Sequence, residues 1–178
     1  VGLEKLAYRN ANKILSVTYS FLDHFRKYDI DESKFAVIRN GVDLSFYIPE
    51  SRNHEYAKKI NVDDKFVVSY VGTHGMAHGL DTILDAAKLT IQKNIIYVMV
   101  GDGAERQRLE NRVQNEQIDN VLMLGQLPKE DMPKLWSISN ASLVLLKKKD
   151  LFLSVIPSKI FESMAMKVPI ILGVEGES

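Results

Sequence analysis

The stretch FVVSYVGTHGMAHGLDTILDAA, residues 66–87, decides the fold. It opens with a continuous run of β-branched and aromatic residues, the pattern of a strand buried on both faces. Gly72, Gly75 and Gly79 then permit tight turning and close approach of the backbone. Leu80, Ile83, Leu84 and Ala87 follow at helical spacing, and Leu89 and Ile91 extend that face in a helix read over 79–92. Strand, glycine turn and helix in this order form one half of a parallel βαβ unit.

The same unit recurs downstream. Strands are predicted at 95–101, 120–125, 141–147 and 168–174, with helices at 104–116, 128–139 and 157–166 between them. Upstream, helices at 2–11, 20–28 (with Ser20 as N-cap) and 55–60 alternate with strands at 13–18 and 35–38. The fold class is α/β, a Rossmann-like parallel sheet with helices on both faces. In such sheets ligands sit at the carboxyl ends of the strands. The loops to inspect are therefore 72–79, 101–104, 125–128 and 148–158.

Composition narrows the field. Hydrophobic residues make up 46% of the chain, which suits a globular core. The 23 basic residues balance 23 acidic ones, so bulk charge gives no case for nucleic-acid binding. With no cysteine there is no disulfide, thiolate nucleophile or zinc–thiolate site, in keeping with a cytoplasmic protein. No metal site is read either, because His74 and His78 stand four apart on a loop without a carboxylate partner.

The loops then divide by chemistry. In VGTHGMAHG (71–79), main-chain N–H groups after Gly72 can cradle phosphate, and His74 and His78 can donate to an anion. Taken alone, the same residues are also an ordinary glycine-rich turn. GDGAER (101–106) starts like a dinucleotide fingerprint, but Arg106 replaces the third glycine and no ribose-binding acid follows. It reads as a strand–helix turn. In GQLPKED (125–131), Pro128 suits a helical first turn, and Glu130 and Asp131 favour its positive end. The last loop ends in PSKIFESMAM (157–166), with Pro157 read at the first helical position. Lys159 then falls in the first turn, where the helix dipole disfavours a cation. A bound diphosphate reverses that sign. Glu162 shares a face with Ser158 and can accept hydrogen bonds from ribose hydroxyls. A solvated Lys159–Glu162 pair is the plainer alternative.

Four stretches in order carry a resemblance: VIRNGVDLSFYIP (37–49), YVGTHGMAHGLDTILDAA (70–87), VGDGAERQRLE (100–110) and IPSKIFESMAMKVPIILGVEGE (156–177). Together they resemble the retaining GT-B glycosyltransferases of family 4, of the type that builds bacterial surface polysaccharides from UDP-linked amino sugars. The resemblance implies two Rossmann-like domains with a cleft between them, the C-terminal one holding the donor. Residues 1–34 are then the tail of an N-terminal acceptor-side domain, and 35–178 a donor domain truncated at its end. Both chain ends read as cut, and the fragment alone is expected to be inactive.

By the same resemblance, Gly72, Thr73, His74, Gly75, His78, Ser158 and Lys159 would bind the donor diphosphate. Glu162 would bind ribose, and Leu127 and Pro128 would lie against the base. The catalytic residues remain unassigned with the acceptor side absent. The family's arginine after the first glycine is Thr73 here, its lysine is His78, and the first glutamate of its E-x7-E motif is Ser154. Lys159 is expected to supply the missing charge. The implied activity is a retaining transfer of a hexose-type sugar, from a UDP-sugar to a glycan or lipid-linked acceptor in polysaccharide biosynthesis. No cofactor beyond the nucleotide-sugar substrate is implied. The implied partners are that donor, the acceptor and the missing N-terminal domain of the same chain. The implied location is cytoplasmic, either free or peripheral on the inner face of the plasma membrane. A nucleotide-sugar epimerase of the same fold and a non-catalytic glycosyltransferase-like partner are the alternatives.

Overall fold

The computed structural model describes residues 2–178 and divides them into two compact units. The larger unit comprises 42–147 and 159–173. Its strands are β3 (Phe66–Val71), β4 (Ile95–Val100), β5 (Val121–Gly125), β6 (Ala141–Leu145) and β7 (Ile170–Gly173). All pair in parallel, in the spatial order β5-β4-β3-β6-β7. From β3 the chain first adds strands on one side and then crosses to the other with β6. The carboxyl ends of β3 and β6 therefore mark the switch point, where such sheets open a crevice.

Helices cover both faces because side chains alternate along each strand. Val67, Val98 and Val100 pack on one face against α3 (His54–Lys59) and α6 (Met132–Ile138), through Tyr56, Leu135, Trp136 and Ile138. Val68, Tyr70, Tyr97 and Met99 pack on the other against Leu80 and against α4 (Asp81–Leu89) and α5 (Arg106–Asn115). The last helix of this unit is α7 (Lys159–Ala165), tied to β6 by a buried Ser163–Ser142 hydroxyl pair at 2.8 Å.

Four local readings change. The α4 helix ends at Leu89, not at 92, because the Thr90 hydroxyl turns back to the carbonyls of Ala86 and Ala87. Leu89 and Ile91 consequently face solvent. Pro157 is not the first helical residue, since α7 begins at Lys159. Pro128 precedes a short 3-10 turn over Lys129–Asp131 instead of opening α6 directly. Ser20 does not cap its helix: α2 runs Leu22–Arg26, and the Ser20 N–H donates to Glu177 at 2.9 Å.

The smaller unit comprises 1–41, 148–158 and 174–178. It holds α1 (Gly2–Asn10), α2 and the parallel pair β1 (Ile14–Ser16) and β2 (Phe35–Val37). Phe25, Ile14 and Ile30 form its core, with Tyr8 edge-on to Phe25 at 4.6 Å. Among the described residues no helix is long and apolar enough to cross a membrane.

Candidate donor site at the strand ends

Three of the inspected loops converge where β3, β4 and β5 end. Gly72 N–H donates to the Val100 carbonyl at 2.9 Å, and Gly101 N–H to the Gly125 carbonyl at 2.8 Å. His74 N–H donates to the Asp102 carbonyl, and Glu105 N–H to the His74 carbonyl, both at 2.8 Å. The GDGAER turn is thus a brace for the VGTHG turn. Gly103 is required in it: its φ is +155°, and an added Cβ would stand 2.6 Å from the His74 carbonyl oxygen. A pocket of about 320 Å³ opens among these loops, lined by Gly72, Thr73, Gly101, Asp102, Leu127 and neighbouring residues.

Lys159 is the most unusual group. Its residue is only 8% exposed, and its Nζ has no hydrogen-bond partner. The ammonium lies over the Tyr70 ring, 4.0 Å from the centroid, a favourable place for a cation. It also fills the space beside Gly72, where an added Cβ would meet Nζ at 2.7 Å. Burial pulls its pKa down to about 8, against the opposing charge of Glu162. A buried ammonium without a hydrogen-bonded partner is costly, and Glu162 compensates its charge only through space.

Tyr70 holds the turn as well as the cation. Its hydroxyl donates to the Thr73 carbonyl at 2.8 Å, and its ring packs near those of His74 and His78. The His74 ring is fully buried and neither of its nitrogens has a partner, so this side chain points into the protein and not toward a ligand in solvent. Burial holds its pKa below the usual histidine value, with Arg106 adding to the effect. His78 is half-buried, 3.4 Å from the Leu145 carbonyl, and is lowered first by burial and then by Lys159. Both imidazoles are therefore neutral at pH 7.

Glu162 projects from α7, half-buried. Burial raises its pKa; Trp136, Tyr47 and the Lys159 charge oppose that rise. The Trp136 indole N–H makes no hydrogen bond of good geometry, so it acts on the carboxyl as a nearby dipole. Tyr47 is in turn pushed up to about 12, chiefly by burial. Of the remaining expected residues, Thr73 is exposed, Gly75 opens the 3-10 turn over Met76–His78, and Leu127 lines the pocket. Pro128 is exposed and does not line that pocket. Ser158 is exposed and Ser154 belongs to the smaller unit, where its carbonyl accepts from the Thr18 hydroxyl at 2.8 Å.

The structure thus gathers Gly72, Lys159, His74 and His78 around Tyr70, and Gly72, Thr73 and Leu127 around one pocket. Sequence reasoning missed Tyr70, Tyr47 and Trp136. Tyr70 could have been found by strand alternation, since it lies two residues before Gly72 on the same side. Tyr47 and Trp136 carry no local signal toward Glu162, because they reach it from distant parts of the chain.

Residues 51–176 match the family Glycosyl transferases group 1, and the chain belongs to that family. The chain is 27% identical over 104 residues to a protein of Escherichia coli (strain K12) that carries the name colanic acid biosynthesis glycosyl transferase WcaI, a match spanning 58% of this chain and 25% of that protein. Among solved structures, the Anabaena protein Alr3699/HepE in complex with UDP and glucose superposes with a TM-score of 0.81 at 18% identity, over 96% of this chain and 47% of that one. WaaG, a glycosyltransferase involved in lipopolysaccharide biosynthesis, gives 0.78 at 17% identity, over 99% and 49%. The chain therefore spans about half the length of these solved structures. At such identities they establish the fold, that of GT-B glycosyltransferases.

Proposed function

We propose that residues 35–178 form the donor-binding part of a retaining family 4 glycosyltransferase. The donor is a UDP-sugar, and the acceptor is a hydroxyl of a glycan or lipid-linked sugar in polysaccharide biosynthesis. Residues 1–34 continue an acceptor-side domain that lies outside these 178 residues. The enzyme works in the cytoplasm, either free or peripheral on the inner face of the plasma membrane.

The observation that carries this reading is the buried, unpartnered Lys159 ammonium beside the Gly72 turn. A diphosphate there receives backbone N–H groups and one cation, replacing the charges that Thr73 and His78 lack. Stabilising the departing diphosphate in this way is the main catalytic contribution of this half, together with positioning of the sugar. Glu162 takes the ribose hydroxyls, and Leu127 lies against the base with Pro128 at the rim. That HepE is solved in complex with UDP and that WcaI is named for colanic acid biosynthesis supports the donor and pathway classes.

The test has two parts. Calorimetric titration with UDP, GDP and ADP should give binding with preference for UDP, and preference for GDP would keep the transferase but change the donor. Incubation of the intact enzyme with donor and acceptor should then give a product whose anomeric proton, by NMR, keeps the donor configuration. Failure to bind any nucleotide would favour a non-catalytic partner.

A further inference from the structure

The charges around the Gly72 turn are unusual in being titratable. The positions that face Lys159 are Tyr70 on β3, His74 and His78 on the loop that follows, and Glu162 on α7 itself. Asp102, Arg106 and Glu110 act on His74. Both histidines are held neutral, and Tyr70 is pushed further up by burial, so it stays a neutral phenol. Glu162 is the one carboxylate among these that acts on Lys159, and it makes no hydrogen bond to Nζ. The Lys159 head thus has a ring beneath it, a glycine beside it and no donor–acceptor partner.

We propose that nucleoside diphosphate binding at this site is coupled to uptake of one proton by Lys159, so that the unliganded protein holds this amine partly neutral and the diphosphate locks it as an ammonium. The inference rests on the donor-site reading and deepens it. The proton comes from solvent and stays on Nζ; no covalent bond is made or broken in the nucleotide. The free amine has a pKa of about 8. A diphosphate in contact raises it well above that, because an opposite charge at close range favours the charged form. Affinity is then full below pH 8 and falls above it, a dependence that a fixed arginine at position 73 would not show.

The direct readout is the proton count on binding UDP, obtained by calorimetry of the intact protein in two buffers of different ionisation enthalpy. At pH 8.5 the diphosphate is fully ionised, since phosphate groups of this type finish titrating near pH 6 to 7. Uptake there should be roughly 0.7 proton, falling to about 0.1 proton at pH 7, and the affinity at pH 9 should be about tenfold weaker than at pH 7. In His78→Gln the uptake at pH 8.5 should persist, because His78 titrates below that range. In Lys159→Met it should vanish. Binding of UDP with no proton uptake at pH 8.5 overturns the coupling and leaves the donor-site reading standing. Uptake that persists in Lys159→Met overturns the assignment to Lys159. Absence of UDP binding overturns both.

Discussion

The Lys159 ammonium stands 4.0 Å from the centre of the Tyr70 ring, and it has no hydrogen-bond partner. This pair links the first strand of the larger unit to its last helix. The ring supplies the weak attraction that makes a buried cation tolerable, and Glu162 acts on the charge without a hydrogen bond to Nζ.

The first consequence is for stability. Lys159 has its folded-state pKa lowered to about 8 from an ordinary 10.5. Between those values the unfolded chain binds more protons than the folded one, so this group's contribution to stability rises with pH and levels off above 10.5. Below pH 8 the cost is full, of order 3 kcal/mol at most. Lys159→Met should therefore be more stable than the parent at pH 7, with the gap shrinking as pH rises to 9.5. Denaturant melts of both proteins across that range check it. A gap that grows with pH would contradict the burial argument.

Glu162 makes an opposite case. Burial raises its folded-state pKa, so its contribution to stability declines as pH rises through its titration. Glu162→Gln should raise the melting temperature at pH 7 and match the parent below pH 4. The same variant should lose discrimination between UDP and its 2′,3′-dideoxy analogue, roughly tenfold in the parent if one charged hydrogen bond is at stake. Binding of the two nucleotides to both proteins measures this.

Gly103 has no room for a side chain. An added Cβ would press on the His74 backbone at a φ of +155°. Gly103→Ala should cost about 1–3 kcal/mol, and it should weaken UDP binding by loosening the brace under the Gly72 turn. Chemical denaturation and titration of the variant test both effects. Loss of stability with unchanged affinity would separate the brace from the site.

Arg52 is a structural tie away from the site. Its guanidinium donates to the Ile138 carbonyl at 2.8 Å and to the carbonyls of Val62, Asp63 and Lys65 at 3.0, 3.4 and 3.3 Å. Arg52→Met keeps the stem but strands those acceptors, and should cost about 1–3 kcal/mol with little change in nucleotide affinity. A neutral effect on the unfolding midpoint would show that water replaces the contacts.

Most of the architecture could be read from period and punctuation. The continuous apolar runs of β3, β4 and β6, with Gly72 after β3 and Gly101 after β4, point to a parallel sheet and to the loops at its carboxyl edge. Helix ends were less legible. Thr90 and Ser20 act through hydrogen bonds to carbonyls or to Glu177, and these depend on where the chain has already gone. At the site, Gly72, Lys159 and Glu162 were visible as types out of place for their local structure. That His74 turns inward was not visible, because burial of its ring follows from tertiary packing, with Tyr70 among its neighbours. Between β2 and β3, Asn53 caps α3 and Arg52 reaches the Ile138 and Val62 carbonyls, contacts that hydrophobic period does not mark.

Lys159 and the Gly72 turn are proposed to bind the donor's diphosphate. Calorimetric titration of UDP and UMP against the parent and Lys159→Met tests it most directly. The account predicts that the parent binds UDP more tightly than UMP, and that Lys159→Met loses roughly 10- to 100-fold in UDP affinity while UMP changes little, the loss expected for one charge-assisted hydrogen bond. Equal affinity for the two nucleotides, or a variant that binds UDP as the parent does, would contradict it.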